Sequence, residues 1–158
     1  MAKASSKKRS STRSSKKTLS TKYDVVIKAK ATSTRIVDIN NENVRFESND
    51  KGQVTGKHYS GVHWDTVEST MLADGSATMT IMYLHMTNKG ESITGIGTGT
   101  QMAPNQRGIV KVTGEGTMWT SASRLSHLNG GRWKVEGEVN TIKETVDVRG
   151  DFNISTVS

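Results

Sequence analysis

The chain has 158 residues, enough for one domain with a single core, and a formal net charge of +7. Its hydrophobic fraction of 32% lies below the ~45–50% usual for globular chains, a figure that counts glycine, and with 15 glycines it favours small, Thr-rich strands over a helical bundle. No cysteine is present, which excludes disulfides, thiolate metal sites and a cysteine nucleophile.

Residues 1–22 hold eight cations, Lys3, Lys7, Lys8, Arg9, Arg13, Lys16, Lys17 and Lys22, and no acid. The other 14 cations face all 15 acids, so the body from Tyr23 onward is close to neutral. A tail of Ser, Thr, Lys and Arg buries too little apolar surface to offset the entropy of ordering it, and disorder is expected over residues 1–22. Lys7, Lys8, Arg9, Arg13, Lys16 and Lys17 would draw that tail to nucleic acid or another polyanion, weakly, without sequence preference and with steep salt dependence. A solubilising extension without a partner is the alternative. Neither a secretory apolar segment nor a run of ~18 apolar residues occurs, so no membrane span is expected and a cytoplasmic location is the default.

From Tyr23 to the end, short β-type runs alternate with turn signals, and residues 23–158 read as one β-barrel domain. Tyr23–Lys30 (YDVVIKAK) and Val44–Glu47 (VRFE) come first, separated by the polar INNEN. The run VTGKHYSGVHWDTVESTML ends at Ala73-Asp74-Gly75-Ser76, a strong hairpin cue. ATMTIMYLHMT stops at the turn cluster Asn88-Lys89-Gly90. ESITGIGTGTQM and GIVKVTGEGTMWT follow, joined by APNQRG, and after LSHLNGG come RWKVEGEVNT and IKETVDVRGDFNI. Seven or eight consecutive strands with short connections predict an all-β antiparallel meander, and closing it into an eight-stranded barrel removes the exposed edges. Such a barrel has room for packed side chains or one small ligand.

The glycines of GIGTGT fall at Gly95, Gly97 and Gly99, so in a strand all three point to one face, with Ile96, Thr98 and Thr100 opposite. A phosphate loop would need a tight turn leading into a helix, and no helical apolar pattern follows. Gly114 and Gly116 repeat the spacing in the next run. These glycines are expected where the sheet curves tightly or where a bulky neighbour crosses it.

Alternation also assigns candidate inner faces. In VHWDTVESTML one face holds Val62, Trp64, Thr66, Glu68 and Leu72, with His63, Asp65 and Ser69 opposite. With the first face inward, Glu68 is a carboxylate near an indole, and desolvation would raise its pKa and make it a candidate general acid or base. A Glu68 bonded to neighbouring Thr, or turned outward by a register bulge, is the alternative. In ATMTIMYLHMT, Met79, Ile81, Tyr83 and His85 share a face; Tyr83 and His85 are polar handles for a pocket, with His85 a second catalytic candidate, or else satisfied wall residues. Trp133, Val135, Gly137 and Val139 form a further inner face. The four histidines, His58, His63, His85 and His127, show no metal-ligand spacing, no nucleophile-elbow motif occurs, and neither metal nor cofactor is expected.

The segment SRLSHLNG, from Ser123 to Gly130, resembles the allene oxide cyclase-like barrel group. The glycine-rich hairpin GTGTQMAPNQRGIVKVTGEGTMW and the following WKVEGEVN share in that resemblance, which covers roughly His63 to Asn140. It implies an eight-stranded, calycin-like barrel with a central cavity. Plant members are cofactor-free cyclases that usually assemble as oligomers, and related bacterial barrels cyclise polyketide-type substrates. The sequence thus leads to a barrel that holds a small, largely apolar molecule, with Trp64, Glu68, Tyr83, His85 and Trp133 as the ligand site. Two other roles remain open: a cofactor-free isomerase or cyclase in the same cavity, and a homo-oligomeric scaffold attached to polyanions through its tail.

Overall fold

The computed structural model describes residues 22–153. The basic segment expected to contact polyanions, including Lys7, Lys8, Arg9, Arg13, Lys16 and Lys17, lies outside them. Eight strands follow in order: β1 (Val25–Ile39), β2 (Asn43–Gly56), β3 (Ser60–Leu72), β4 (Ala77–Thr87), β5 (Ser92–Gln101), β6 (Ile109–Trp119), β7 (Arg132–Asn140) and β8 (Thr145–Asn153). Each pairs antiparallel with the next, and β1 pairs with β8, from Val25 opposite Gly150 to Lys30 opposite Thr145, to close the barrel. Closure gives the backbone groups in these ladders partners that an open sheet would leave at its edges.

The first hairpin is longer than the sequence pattern predicts. Ser48–Gly52 has no strand signature, yet it forms the middle of β2. The β1–β2 ladder continues to Ile39 opposite Val44, with register shifts between Ala31 and Ser33 and between Ile36 and Asp38. Polar residues are tolerated there because each keeps its ladder hydrogen bonds while β3 covers the other edge of β2.

One end of the barrel carries the turns at 40–42, 73–76, 102–108 and 141–144. At the other end a 3-10 helix, Ser123–Leu128, lies between β6 and β7 and buries Leu125 and Leu128 in the core with Ile93, Met118 and Tyr59. The Arg124 guanidinium holds this plug in place by pairing with Glu91 in the β4–β5 turn and donating to the His58 carbonyl at 3.3 Å.

The glycine-rich strands are the counterpart of two aromatic side chains. A Cβ at Gly95 would stand 2.3 Å from Tyr83 Cε1, and Cβ atoms at Gly97 and Gly116 would stand 2.5 and 2.6 Å from Trp133 Cζ2. These glycines leave the space that Tyr83 and Trp133 fill, as expected of a sheet crossed by bulky neighbours.

Candidate functional site: a polar chain on the floor of an apolar cavity

The barrel encloses a cavity of about 540 Å³. It runs from a rim near Gly75, Pro104, Thr141 and Glu144 down to His63 and His85, toward the plugged end. Inward alternation on β4 places Met79, Ile81, Tyr83 and His85 in its wall, and on β7 Trp133, Val135 and Val139, the faces expected from the sequence. No Lys or Arg lines it among the described residues.

On β3 the expected face is reversed. His63, Asp65, Val67 and Ser69 line the cavity, whereas Trp64 and Glu68 stand outside. Trp64 lies under the Lys51 ammonium, 5.6 Å from the ring centroid, and Glu68 faces an outer groove with Arg35, Arg45 and Glu47. Directly opposed residues of an antiparallel pair point to the same face. Tyr83 is opposite Asp65 and His85 is opposite His63, so an inward Tyr83 and His85 require Asp65 and His63 inward. The register is set by the loop 73–75, in which the Gly75 N–H donates to the Leu72 carbonyl and Gly75 takes a φ of 81°; a two-residue Asp-Gly hairpin would instead have set Tyr83 opposite Thr66, so the inner face of β3 turned on the length of this loop.

Of the residues expected to bind a ligand, Tyr83, His85 and Trp133 therefore meet in the cavity and Trp64 and Glu68 do not. Tyr83 stacks on His85 with ring centroids 4.5 Å apart, and Trp133 meets Tyr83 edge-on at 5.6 Å. The Trp133 indole N–H donates to the Thr117 carbonyl at 3.1 Å, which satisfies its one polar atom and fixes the ring.

The replacements for Glu68 form a continuous chain. The Tyr59 hydroxyl meets His85 Nδ1 at 2.7 Å, His85 Nε2 meets His63 Nδ1 at 2.8 Å, and His63 Nε2 meets Asp65 Oδ2 at 3.0 Å. Asp50 of β2 stands directly opposite Asp65. His63 and His85 are both only 2% exposed and Asp50 is 8% exposed. Burial, then the neighbouring Asp65 charge, pushes the Asp50 carboxyl up to about 7. Burial, then His63, holds His85 well below the usual imidazole range, and burial raises the Tyr59 phenol. Asp65 Oδ1 is buried without a hydrogen-bond partner. The arrangement can hold, donate and accept protons beneath an apolar chamber. Among the described residues no group of three or more His, Cys, Asp or Glu stands in a metal-holding arrangement.

Fold and site together define a small closed antiparallel β-barrel with an apolar chamber and a buried titratable floor. No family model matches the sequence, and no curated protein is similar to it. Solved structures are similar in fold. A protein of unknown function from Clostridium acetobutylicum shares 13% identity at a TM-score of 0.69, with 84% of this chain and 97% of that chain covered. The conserved protein of unknown function RPA1785 from Rhodopseudomonas palustris shares 14% identity at a TM-score of 0.65, covering 81% and 94%. An enzyme from Penicillium herquei shares 17% identity at a TM-score of 0.57, covering 81% and 90%.

Proposed function

We propose that the barrel binds a small, largely apolar, uncharged molecule, with its one polar group at Asp50 and Asp65 and its carbon skeleton against Ile81, Tyr83 and Trp133. The cavity carries this reading: a chamber of about 540 Å³ with mostly apolar walls and one convergent polar patch has the character of a ligand site. The absence of Lys and Arg from the described lining disfavours carboxylates and phosphates, whose charge would be desolvated without a counterion. The resemblance to allene oxide cyclase-like barrels supports the same use of the chamber. A second reading, turnover of the ligand without a cofactor, is favoured by the buried titratable chain on the floor.

Binding is tested with a neutral, environment-sensitive dye such as Nile red. Saturable one-to-one binding is expected, and Ile81→Trp, which narrows the chamber beside Tyr83 and Trp133, should weaken it. Equal binding by a folded Ile81→Trp variant would remove the cavity from the mechanism, and no saturable binding by the wild type would sink the proposal.

A further inference from the structure

We propose that Asp65 and Asp50 are the base and the acid of a proton-transfer site that enolises small, apolar ketones held in the barrel cavity. The inference rests on the ligand-binding reading above and assigns that ligand a chemical class.

The hydrogen-bond chain has a direction. An ionised Asp65 accepts from His63 Nε2–H, which leaves the neutral His63 ring with Nδ1 as an acceptor. His85 must then donate through Nε2–H, so its Nδ1 accepts from the Tyr59 hydroxyl. In this order every proton of the chain has an acceptor and neither imidazole is charged. The reverse order would turn His85 Nδ1–H onto the Tyr59 oxygen, and the phenol proton would lose its partner within the chain. The chain therefore ends by delivering a hydrogen bond to Asp65 Oδ2 and fixes that carboxylate in place. Tyr59 and His85 touch no ligand atom in this scheme and act as positioning residues.

The other oxygen of the same carboxylate, Oδ1, is the buried atom with nothing bonded to it. Asp65 lines the chamber with 11% of its side chain exposed, and a carboxylate anchored by His63 at the edge of an apolar chamber is poised to take a proton from carbon. Asp50, across the β2–β3 ladder, supplies the complementary group. Two adjacent buried carboxyls resist double ionisation, and Asp50, pushed up to about 7 by burial and then by the Asp65 charge, keeps its proton into the neutral range. The groups facing the pair are His63 from the same strand, Tyr83 and His85 from β4 and Tyr59 from the β2–β3 turn, with Glu144 at the rim. None is a permanent cation, and His63 is the one group among them that works against the retention of that proton.

A base and an acid set side by side match a substrate in which a carbon loses a proton while a neighbouring oxygen gains one. That substrate is an enolisable ketone. Asp65 removes a proton from the carbon next to the carbonyl. The C–H electron pair becomes the new C=C bond, and the carbonyl π pair goes to oxygen, which takes the proton of Asp50. The products are an enol, a protonated Asp65 and an ionised Asp50. Reversal restores all three, and return of the proton to a different carbon of a conjugated system would give an isomer. No atom is gained or lost and no oxidant or reductant is needed. The use of a carboxylic acid kept neutral by an apolar site as a hydrogen-bond donor to a ketone oxygen has precedent in other enzymes.

The test is deuterium uptake next to the carbonyl of cyclohexanone, cyclooctanone and menthone in heavy water, followed by proton NMR. The wild type should accelerate uptake in at least one of them over heat-denatured protein. Asp65→Asn should lower that acceleration by roughly 100-fold or more, the scale of general acid–base catalysis. Asp50→Asn should lower it less and remove the loss of rate on the alkaline side of the pH profile. Binding of each ketone is measured separately by displacement of Nile red. Ketones that displace the dye but exchange no faster than with Asp65→Asn overturn the proton-transfer site and leave the binding reading standing, whereas no binding at all removes both. If Asp65→Asn does not fold, carboxyl-carbon NMR of the Asp-labelled wild type decides. One Asp carboxyl titrating near neutral pH and shifting when a ketone binds is expected, and its absence overturns the proposal.

Discussion

Replacing Asp50 by Asn should raise stability at alkaline pH and leave little trace of that gain in acid. The side chain is nearly isosteric and stays uncharged, so it removes the cost of ionising a carboxyl that is 8% exposed and opposite Asp65. Asp50 titrates at about 7 in the fold against 3.8 for the free group. Its folded value is the higher one, so between those limits the folded state holds more protons than the unfolded state and stability falls as pH rises; above them the loss is complete and constant. At ~1.4 kcal/mol per pKa unit, the loss is on the order of 4 kcal/mol across that window. Asp50→Asn does not undergo it. The difference in unfolding free energy, variant minus wild type, should therefore grow by about 4 kcal/mol from pH 4 to pH 8, or roughly 10 °C in melting temperature for a domain of this size. Urea unfolding of both proteins at a series of pH values measures it. A difference that stays flat within ~1 kcal/mol from pH 4 to pH 8 would refute the reasoning.

Other substitutions probe the scaffold and the tail. Gly97→Ala sets a Cβ 2.5 Å from Trp133 Cζ2 and against the Glu115 carbonyl, and is expected to cost about 1–3 kcal/mol in urea unfolding. Leu128→Ala empties the centre of the plug, where the side chain is fully buried, and should cost about 2–5 kcal/mol by the same measurement. Asp24 accepts from the Lys57 ammonium at 2.6 Å and from the Phe152 backbone N–H at 3.0 Å. Burial opposes its ionisation, but these bonds outweigh it and hold its pKa below 3.8, so its contribution should be present above about pH 4 and vanish in more acidic solution. Asp24→Asn should therefore differ from wild type at pH 6 and converge with it near pH 2. Removing residues 1–22 should abolish retention on heparin at low salt, because the body from Tyr23 onward carries nearly balanced charge; retention that survives would place an anion site on the barrel.

The meander was legible in the chain itself. Asp74-Gly75 and Asn88-Lys89-Gly90 punctuate β3, β4 and β5, and the alternating glycines of β5 and β6 announce that large side chains must cross them. Local chemistry was enough for these features because turns and missing side chains act over a few residues. The same alternation placed Tyr83, His85 and Trp133 inward, and the structure has them lining the chamber.

Pairing between strands decided the rest. Alternation leaves two faces for every strand, and only register selects one; the choice of Trp64 and Glu68 for the interior of β3 was incompatible with an inward Tyr83, since Tyr83 opposes Asp65. Asp50 left still less trace. It sits in a polar stretch that resembles a break and becomes a buried acid only because β2 runs through it and sets it against Asp65. Tyr59 comes from a turn, and the plug closes over it. A chain from Tyr59 through His85 and His63 to Asp65 joins residues whose contact depends on two strands and a turn meeting in one register. Composition and periodicity carry the curvature of the sheet, but the position of a proton depends on distances of a few ångströms between side chains, and those exist only after the barrel has closed.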